Sequence, residues 1–205
     1  MDDQTMLLVI DLQVDFHDDE GALTSGRRAQ TKTAFVLERI DRALAEGRPV
    51  VLTRDTHEPG SPDFDRFGRE EFETYGSHCV KGTAGWELIS SIRERVLRQR
   101  GTGEAITIIE KPTFNAFLGR VVEGKPDDLG TTLDELIARR GITRLEVLGL
   151  ITPVCVLETV RAARERGLEV LVPEAGVESY NEETHQHGLK ELRALGAKVR
   201  SGASL

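Results

Sequence analysis

Short apolar runs recur along the chain and predict β-strands. Each run is rich in Val, Ile and Leu, and polar or glycine-containing segments separate it from the next one. The six predicted strands cover residues 6–10, 50–53, 106–109, 145–150, 169–172 and, more weakly, 197–200.

Between these strands, apolar residues spaced three and four positions apart predict helices. In the first such segment Val36, Ile40 and Leu44 share one face, and Gly47 marks its end. Similar patterns stop at Gly101, Gly141, Gly167 and Gly196. Because parallel neighbours need a crossover, this alternation predicts a single α/β domain over residues 1–205. We expect a doubly wound, six-stranded, mainly parallel sheet with helices on both faces.

Composition and charge exclude several classes of function. Apolar residues make up 39% of the chain and charged residues 30%, which is typical of a globular protein. The 27 basic and 35 acidic residues give a net charge of −8, which disfavours nucleic acid and anionic lipid as partners. The first residues are acidic where a secretory signal would be basic, and their apolar run is too short to span a membrane. We therefore expect a cytoplasmic protein that acts on a small molecule.

The two cysteines, Cys79 and Cys155, are interpreted as free thiols. A lone pair in an acidic chain is poor evidence for a disulfide framework. Cys79 lies in a polar loop with no predicted helix start nearby, which indicates a structural role. Cys155 lies where a predicted strand gives way to a helix, so it needs separate treatment.

Chemically active side chains follow the predicted strands. In open α/β sheets, ligands bind beyond the carboxyl ends of the strands. Asp11 follows the first strand, Asp55 and His57 follow the second, Lys111 follows the third, and Cys155 follows the fourth. An acid, two types of metal ligand, an amine and a thiol are therefore expected along one edge of the sheet.

The residues before Cys155 predict a helix start that would activate its thiol. Thr152 fits the N-cap and Pro153 the first helical position, which makes Cys155 the third residue of the helix. The positive end of the helix dipole and its free N–H groups favour a thiolate and an oxyanion. Lys111 adds to this effect, and Asp11 can take the thiol proton. The alternative is a cysteine that serves only in packing.

Two polar connections interrupt the alternation, at residues 54–86 and 118–130. The first is long enough to suggest a functional loop. It contains Asp55, His57 and His78, and one carboxylate with two imidazoles suits zinc, manganese or iron. The alternative is a solvated loop with incidental histidines.

Three ordered motifs resemble the isochorismatase-like cysteine hydrolases and, within them, the nicotinamidase and pyrazinamidase branch. The motifs are LLVIDLQVDF at 7–16, EKPTFNAF at 110–117 and LGLITPVCVLETVRAARERGLEVLVPEAGVES at 148–179. The resemblance implies that Asp11, Lys111 and Cys155 are catalytic. It further implies an amidohydrolase that forms a Cys thioester, with nicotinamide as the best substrate and pyridine nucleotide salvage as its role. The family also favours a homo-oligomer.

The same resemblance implies roles in the oxyanion hole and the substrate pocket. A cis peptide between Leu150 and Ile151 would aim the Ile151 N–H, together with that of Cys155, at the oxyanion. Phe16 and Tyr75 would form aromatic walls of the substrate pocket.

The segments DTHEPG at 55–60 and GSHCVKGTAGWEL at 76–88 resemble the nicotinamidase metal loop. This implies that Asp55, His57 and His78 bind a divalent metal, zinc first, with manganese or iron as alternatives. The metal would anchor a ring nitrogen of the substrate. Glu71, seven residues before His78, stands where some nicotinamidases have a further carboxylate. The carboxylates that compete with Glu71 are Asp63, Asp65 and Glu70.

The chain departs from this branch beside the nucleophile and before the last metal histidine. Pro153 and Val154 stand where nicotinamidases commonly carry an Asp after the Thr, and Gly76 and Ser77 follow Tyr75 in place of an aromatic–Pro pair. These changes affect the substrate pocket and leave the catalytic residues intact. The alternative functions are hydrolysis of another amide, carbamoyl or urea-type compound, isochorismate-type hydrolysis, and non-catalytic binding.

Overall fold

A mostly parallel β-sheet forms the centre of the molecule. The computed structural model describes residues 4–100 and 106–202. Its strands are β1 (Thr5–Ile10), β2 (Val50–Asp55), β3 (Thr107–Lys111), β4 (Arg120–Glu123), β5 (Arg144–Leu150), β6 (Glu169–Pro173), β7 (Val177–Glu178) and β8 (Lys198–Arg200). The order across the sheet is β4-β3-β2-β1-β5-β6-β8, and β7 pairs with the end of β5. The described pairings are parallel except that of β3 with β4.

The predicted number of six strands is wrong, because the described residues form eight. β4 lies inside the segment 118–130, which was interpreted as a polar excursion, and β7 contains two residues. In β4, Val121 is buried while its neighbours Arg120 and Val122 are exposed. Four residues of alternation and a two-residue strand are too short to give a recognisable period. Such strands form because a longer neighbour supplies their hydrogen bonds.

Helices connect the strands. They are α1 (Val14–His17), α2 (Arg27–Ala45), α3 (Arg69–Tyr75), α4 (Ser90–Gln99), α5 (Leu133–Arg140), α6 (Leu157–Glu165) and α7 (Glu182–Ala194). At α5, Thr132 and Glu135 form a capping box, and Gly141 ends the helix with a φ of 62°. The predicted stop at Gly101 lies outside the described residues. Among the helices that the structure describes, none is long and apolar enough to cross a membrane.

The two faces of the sheet are covered by different helices, which confirms the predicted doubly wound architecture. Successive strand residues point to opposite faces. Leu7 packs in a cluster with Val36 of α2 and Ile92 of α4. Leu8 packs in the other cluster with residues of α5, α6 and α7, among them Val160. Each fully buried side chain of this kind contributes about 1.5–3 kcal/mol to burial free energy.

A buried ion cluster lies on β5. Glu146 accepts hydrogen bonds from Arg39 Nε at 2.6 Å, from Arg39 Nη2 at 2.8 Å and from Arg48 Nη1 at 3.0 Å. All three residues are buried. The cluster ties α2 and the segment before β2 to the central strands, and Arg48 Nε also lies 2.9 Å from Oε2 of the exposed Glu46.

The carboxyl ends of β1, β2, β3 and β5 meet at one edge of the sheet, as their parallel pairing requires. The connection between β2 and α4 folds over this edge. It contains a π-helical turn at Phe64–Gly68, followed by α3, and His57 pairs with Val80 in an isolated bridge. The long polar connection is therefore a cover over the strand ends.

Candidate active site

Asp11, Lys111 and Cys155 meet at this edge. Asp11 follows β1, Lys111 ends β3, and Cys155 lies in the turn after β5. Lys111 Nζ is 2.8 Å from Asp11 Oδ2 and 3.7 Å from Cys155 Sγ. The Lys111 ammonium therefore contacts both the Asp11 carboxylate and the Cys155 sulfur. The structure thus brings together the three residues that were predicted from separate strand ends.

Neighbouring oxygen atoms hold the acid and the amine in place. Asp11 has a φ of 48°, in the left-handed region. The Thr53 hydroxyl donates to Asp11 Oδ1 at 2.6 Å, and its oxygen accepts from the Asp11 N–H at 3.1 Å. Lys111 Nζ also donates to the Thr113 carbonyl at 3.0 Å. Thr53 was not identified from the sequence, where its only signal is a polar residue within an apolar strand.

Burial and charge pairing set the protonation states. Burial raises the pKa of the Cys155 thiol well above its ordinary value, and although Lys111 acts in the opposite direction, Asp11 and Asp55 add to the increase. Burial alone would lower the pKa of Lys111, but the carboxylates of Asp11 and Asp55 outweigh it and raise that pKa well above its usual range. Burial also raises the pKa of Asp11. Burial therefore opposes the thiolate that the start of the turn favours, and the role of Asp11 as the base that takes the thiol proton stays a prediction.

The turn that carries Cys155 begins one residue earlier than predicted. Thr152–Val156 forms a π-helical turn whose N-cap is Ile151, and no side chain caps it. Cys155 is therefore the fourth residue of the turn and not the third. The prediction failed because the Thr152 hydroxyl has a tertiary partner, His185 Nδ1, at 3.0 Å. A hydroxyl engaged in this way is not available to cap the turn.

The peptide bond between Leu150 and Ile151 is cis, as the resemblance implied. Ile151 lines the pocket beside Cys155. The Ile151 N–H lies at the start of the turn that carries the nucleophile, and the Cys155 N–H lies within that turn. Their role as oxyanion donors stays a prediction.

A second cluster of buried side chains lies beside Asp11, Lys111 and Cys155. Asp55, His57, Glu71 and His78 each offer one ligand atom, and these atoms lie within 4.8 Å of one another. His57 Nε2 is 3.3 Å from Asp55 Oδ2 and 3.5 Å from Glu71 Oε2. His78 Nε2 is 3.5 Å from Asp55 Oδ2. The contact of His78 Nδ1 with the Gly76 carbonyl, at 2.8 Å, is the arrangement that leaves Nε2 free to bind a metal.

The polar atoms of this group fit a divalent cation. Asp55 Oδ2, His57 Nε2 and both carboxylate oxygens of Glu71 are buried and have no hydrogen-bond partner among the described residues. Burying such atoms without compensation is costly, and a metal ion would compensate them. Two imidazoles and two carboxylates suit zinc, manganese or iron. We therefore regard the group as a candidate metal centre.

The orientation of α3 distinguishes Glu71 from its competitors. Glu71 is 5% exposed and points to His57, whereas Asp63, Asp65 and Glu70 are exposed. Burial raises the pKa of the Glu71 carboxyl, and the charge of Asp55 raises it further. The sequence alone left these four acids as alternatives, and the fold brings one of them to the histidines.

Asp55 connects the two groups. Its Oδ1 lies 3.2 Å from Lys111 Nζ, while Oδ2 faces the imidazoles. The Gln13 side chain fixes its backbone, because Oε1 accepts from the Asp55 N–H at 2.7 Å and Nε2 donates to the Asp55 carbonyl at 2.9 Å. Gln13 Nε2 also donates to the Trp86 carbonyl at 2.8 Å. Sequence reasoning missed Gln13, although it lies two residues after Asp11 and inside the matched motif at 7–16.

One small, mainly aromatic pocket joins the thiol and the metal ligands. Its walls include Phe16, Tyr75, Phe114, Val154 and Tyr180 around Cys155. Phe16 and Tyr75 were predicted from the resemblance. Phe114 and Tyr180 were not, although Phe114 lies inside one of the matched motifs and Tyr180 directly follows another.

A comparison with models of known protein families identifies the family of this chain. The isochorismatase domain model matches residues 5–204. The chain belongs to the isochorismatase family. Among its relatives is the uncharacterized isochorismatase family protein PncA of Bacillus subtilis (strain 168), which is 28% identical over 195 residues, 94% of this chain and 97% of that protein.

Solved structures in the isochorismatase family share the fold. The pyrazinamidase/nicotinamidase from Streptococcus mutans UA159 is 26% identical, with a TM-score of 0.81 over 96% of this chain and 99% of that one. The pyrazinamidase of Pyrococcus horikoshii in complex with zinc is 25% identical, with a TM-score of 0.73 over 97% and 99% of the two chains. The mostly parallel sheet flanked by helices is therefore the fold of this family.

Proposed function

We propose that this chain is a cysteine-dependent amidohydrolase that converts nicotinamide to nicotinate and ammonia. The observation that carries the proposal is the convergence of Asp11, Lys111 and Cys155 with the metal-ligand group at one aromatic pocket. Aromatic walls suit a flat ring, and the thiol and base suit attack on a carboxamide attached to it. The names of the Streptococcus and Pyrococcus relatives support the same class of substrate.

In the first half of the reaction, Asp11 takes the Cys155 proton and the thiolate attacks the amide carbon. This forms the S–C bond of a tetrahedral intermediate, whose oxyanion accepts hydrogen bonds from the N–H groups of Ile151 and Cys155. The C–N bond then breaks, and ammonia leaves with the proton that Asp11 had taken. A thioester remains on Cys155.

In the second half, Asp11 removes a proton from water, which attacks the thioester carbon. The S–C bond breaks, the carboxylic acid leaves, and Cys155 recovers its proton from Asp11. Lys111 stays charged throughout, because its ammonium lies between the carboxylates of Asp11 and Asp55. It therefore compensates negative charge as the proton moves.

Asp55, His57, Glu71 and His78 would hold a divalent metal, and the zinc complex of the Pyrococcus pyrazinamidase supports zinc among the metals that suit these donors. When bound, the metal would anchor and polarise a ring nitrogen of the substrate. The proton transfers are assigned to the protein side chains, since Asp11 and Cys155 both contact Lys111 Nζ and so lie close to one another.

The test is an ammonia-release assay with nicotinamide, pyrazinamide and small aliphatic amides, before and after treatment with a chelator. We expect turnover of the aromatic amides, its loss after chelation, and its recovery with zinc. Cys155→Ala should abolish turnover, whereas the matched control Cys79→Ala should retain it, because Cys79 is buried away from the pocket walls. Turnover by Cys155→Ala would refute the mechanism.

A second candidate function is hydrolysis of a different small amide, carbamoyl or urea-type compound. It is favoured by the apolar pair Pro153 and Val154, which follows Thr152 where nicotinamidases commonly carry an Asp after the Thr, and Val154 lines the pocket beside Cys155. Inert nicotinamide together with turnover of another amide in the same screen would select this candidate, and it would leave the thiol chemistry unchanged.

A further inference from the structure

Helix α7 packs directly on the turn that carries the nucleophile. Its residues His185 and Gly188 are one helical turn apart and lie on the same face. A Cβ atom at Gly188 would lie 2.8 Å from Pro153 N and 2.9 Å from Thr152 Cγ2, closer than real Cβ atoms approach their neighbours. The backbone of α7 is therefore in contact with the first residues of the turn.

A buried hydrogen bond reinforces this contact. The Thr152 hydroxyl and His185 Nδ1 are 3.0 Å apart, and both residues are buried. Thr152 directly follows Ile151 and lies three residues before Cys155. The N-cap residue of the turn, Ile151, makes no side-chain hydrogen bond to it. The hydrogen bond to His185 of α7 thus fixes the first residue of the turn, at the end where a side-chain cap would otherwise hold it.

The same ring nitrogen of His185 also faces a buried carboxylate. His185 Nδ1 lies 3.5 Å from Glu178 Oε1, and Glu178 sits beside Leu150, the last residue of β5. Arg28 Nη2 donates to Glu178 Oε1 at 2.8 Å, and Lys32 Nζ lies 3.4 Å from Oε2. A chain of polar contacts therefore runs from α2 through β7 and α7 to the nucleophile turn.

We propose that His185 is a positioning residue, which acts through Thr152 to keep the thiol of Cys155 aligned with its base. Neither Thr152 nor His185 is among the residues that line the pocket. Their loss should therefore lower the rate of the chemical step and leave substrate binding largely unchanged. The test described next measures turnover, which rests on the proposed function, and alkylation of Cys155, which does not.

The perturbations are Thr152→Val, which removes the hydroxyl at nearly constant shape, and His185→Leu, which removes the ring nitrogen. We expect kcat to fall about 10- to 100-fold in each, with KM within about twofold of wild type. The double variant should be no slower than the slower single variant, because both remove one interaction. His185→Asn, which can place a polar atom near the position of Nδ1, should recover part of kcat.

The substrate-independent measurement is the rate at which iodoacetamide alkylates Cys155, followed by mass spectrometry of its peptide. We expect this rate to fall several-fold in Thr152→Val and His185→Leu. The matched control is His187→Leu, since His187 lies on the same helix but is exposed, and it should match wild type in every assay. Melting temperatures identify any variant that fails to fold. If His185→Leu does not fold, the measurements on Thr152→Val, which changes the shape of the side chain less, decide the outcome.

The outcomes separate the two proposals. Alkylation and kcat that stay within twofold of wild type in folded Thr152→Val, or alkylation that becomes faster, would overturn the positioning role of His185. If wild type hydrolyses none of the amides but alkylation slows as expected, the proposed function falls and the positioning role stands.

Discussion

Replacing Glu71 with Gln tests the candidate metal centre, because its effects with and without metal have opposite signs. The substitution keeps the size of the side chain and removes its negative charge. The Glu71 carboxylate is 5% exposed, and neither oxygen has a hydrogen-bond partner among the described residues. Without metal, the negative charge of Asp55 also disfavours ionisation of the Glu71 carboxyl.

The magnitudes follow from these contacts. An unsatisfied buried charge costs more than an unsatisfied neutral group, so removing the charge should raise the free energy of unfolding of the metal-free variant by about 1 kcal/mol relative to wild type. Substitutions around metal ligands cost about 10- to 100-fold in affinity, and loss of a ligand costs at least as much. At saturating zinc, the stabilisation by metal should therefore shrink by about 1.4–2.7 kcal/mol.

The assay is urea unfolding in chelator and in zinc-containing buffer, combined with a competition titration that measures zinc affinity. The matched control is Glu70→Gln, because Glu70 is the exposed neighbour of Glu71 on α3. We expect the control to follow wild type in both buffers. Equal zinc affinity in Glu71→Gln and wild type would refute the assignment of Glu71 as a ligand.

Two further predictions concern stability. Glu146→Gln should lower the free energy of unfolding by about 3–5 kcal/mol in urea titrations, since it leaves the buried Arg39 without a carboxylate and leaves Arg48 with only that of the exposed Glu46. A loss below about 1 kcal/mol would contradict the role of this cluster. Burial lowers the pKa of His185 below its ordinary 6.5, so the unfolded chain takes up this proton first as the pH falls. The stabilising contribution of neutral His185 is therefore present above pH 6.5 and is lost as the pH falls from there through the folded-state pKa. Unfolding curves at pH 7.5, 6.5 and 5.5 in chelator should show a shallower pH dependence for His185→Asn than for wild type, and parallel curves for the two proteins would show that this proton uptake is not coupled to unfolding.

The alternation of strands and helices predicted the layered fold because each long element has its own period in the sequence. The same argument placed Asp11, Lys111 and Cys155 at one edge, since parallel strands share the direction in which they end. Elements shorter than one clear period were missed. β4 and β7 form because β3 and β5 offer them a hydrogen-bonding edge, and that information lies far away in the chain.

The sequence by itself determined which chemical groups are present and which strand end carries each of them. Their distances and protonation states required the tertiary structure. The register that pairs Asp55 with Lys111 makes one carboxylate serve both groups of residues, and the rotation of α3 brings Glu71, in place of its exposed neighbours, to His57. Burial also opposes the ionisation of the Cys155 thiol that the helix start favours. The helix start is local in the sequence, whereas the loss of solvent depends on everything packed around the site.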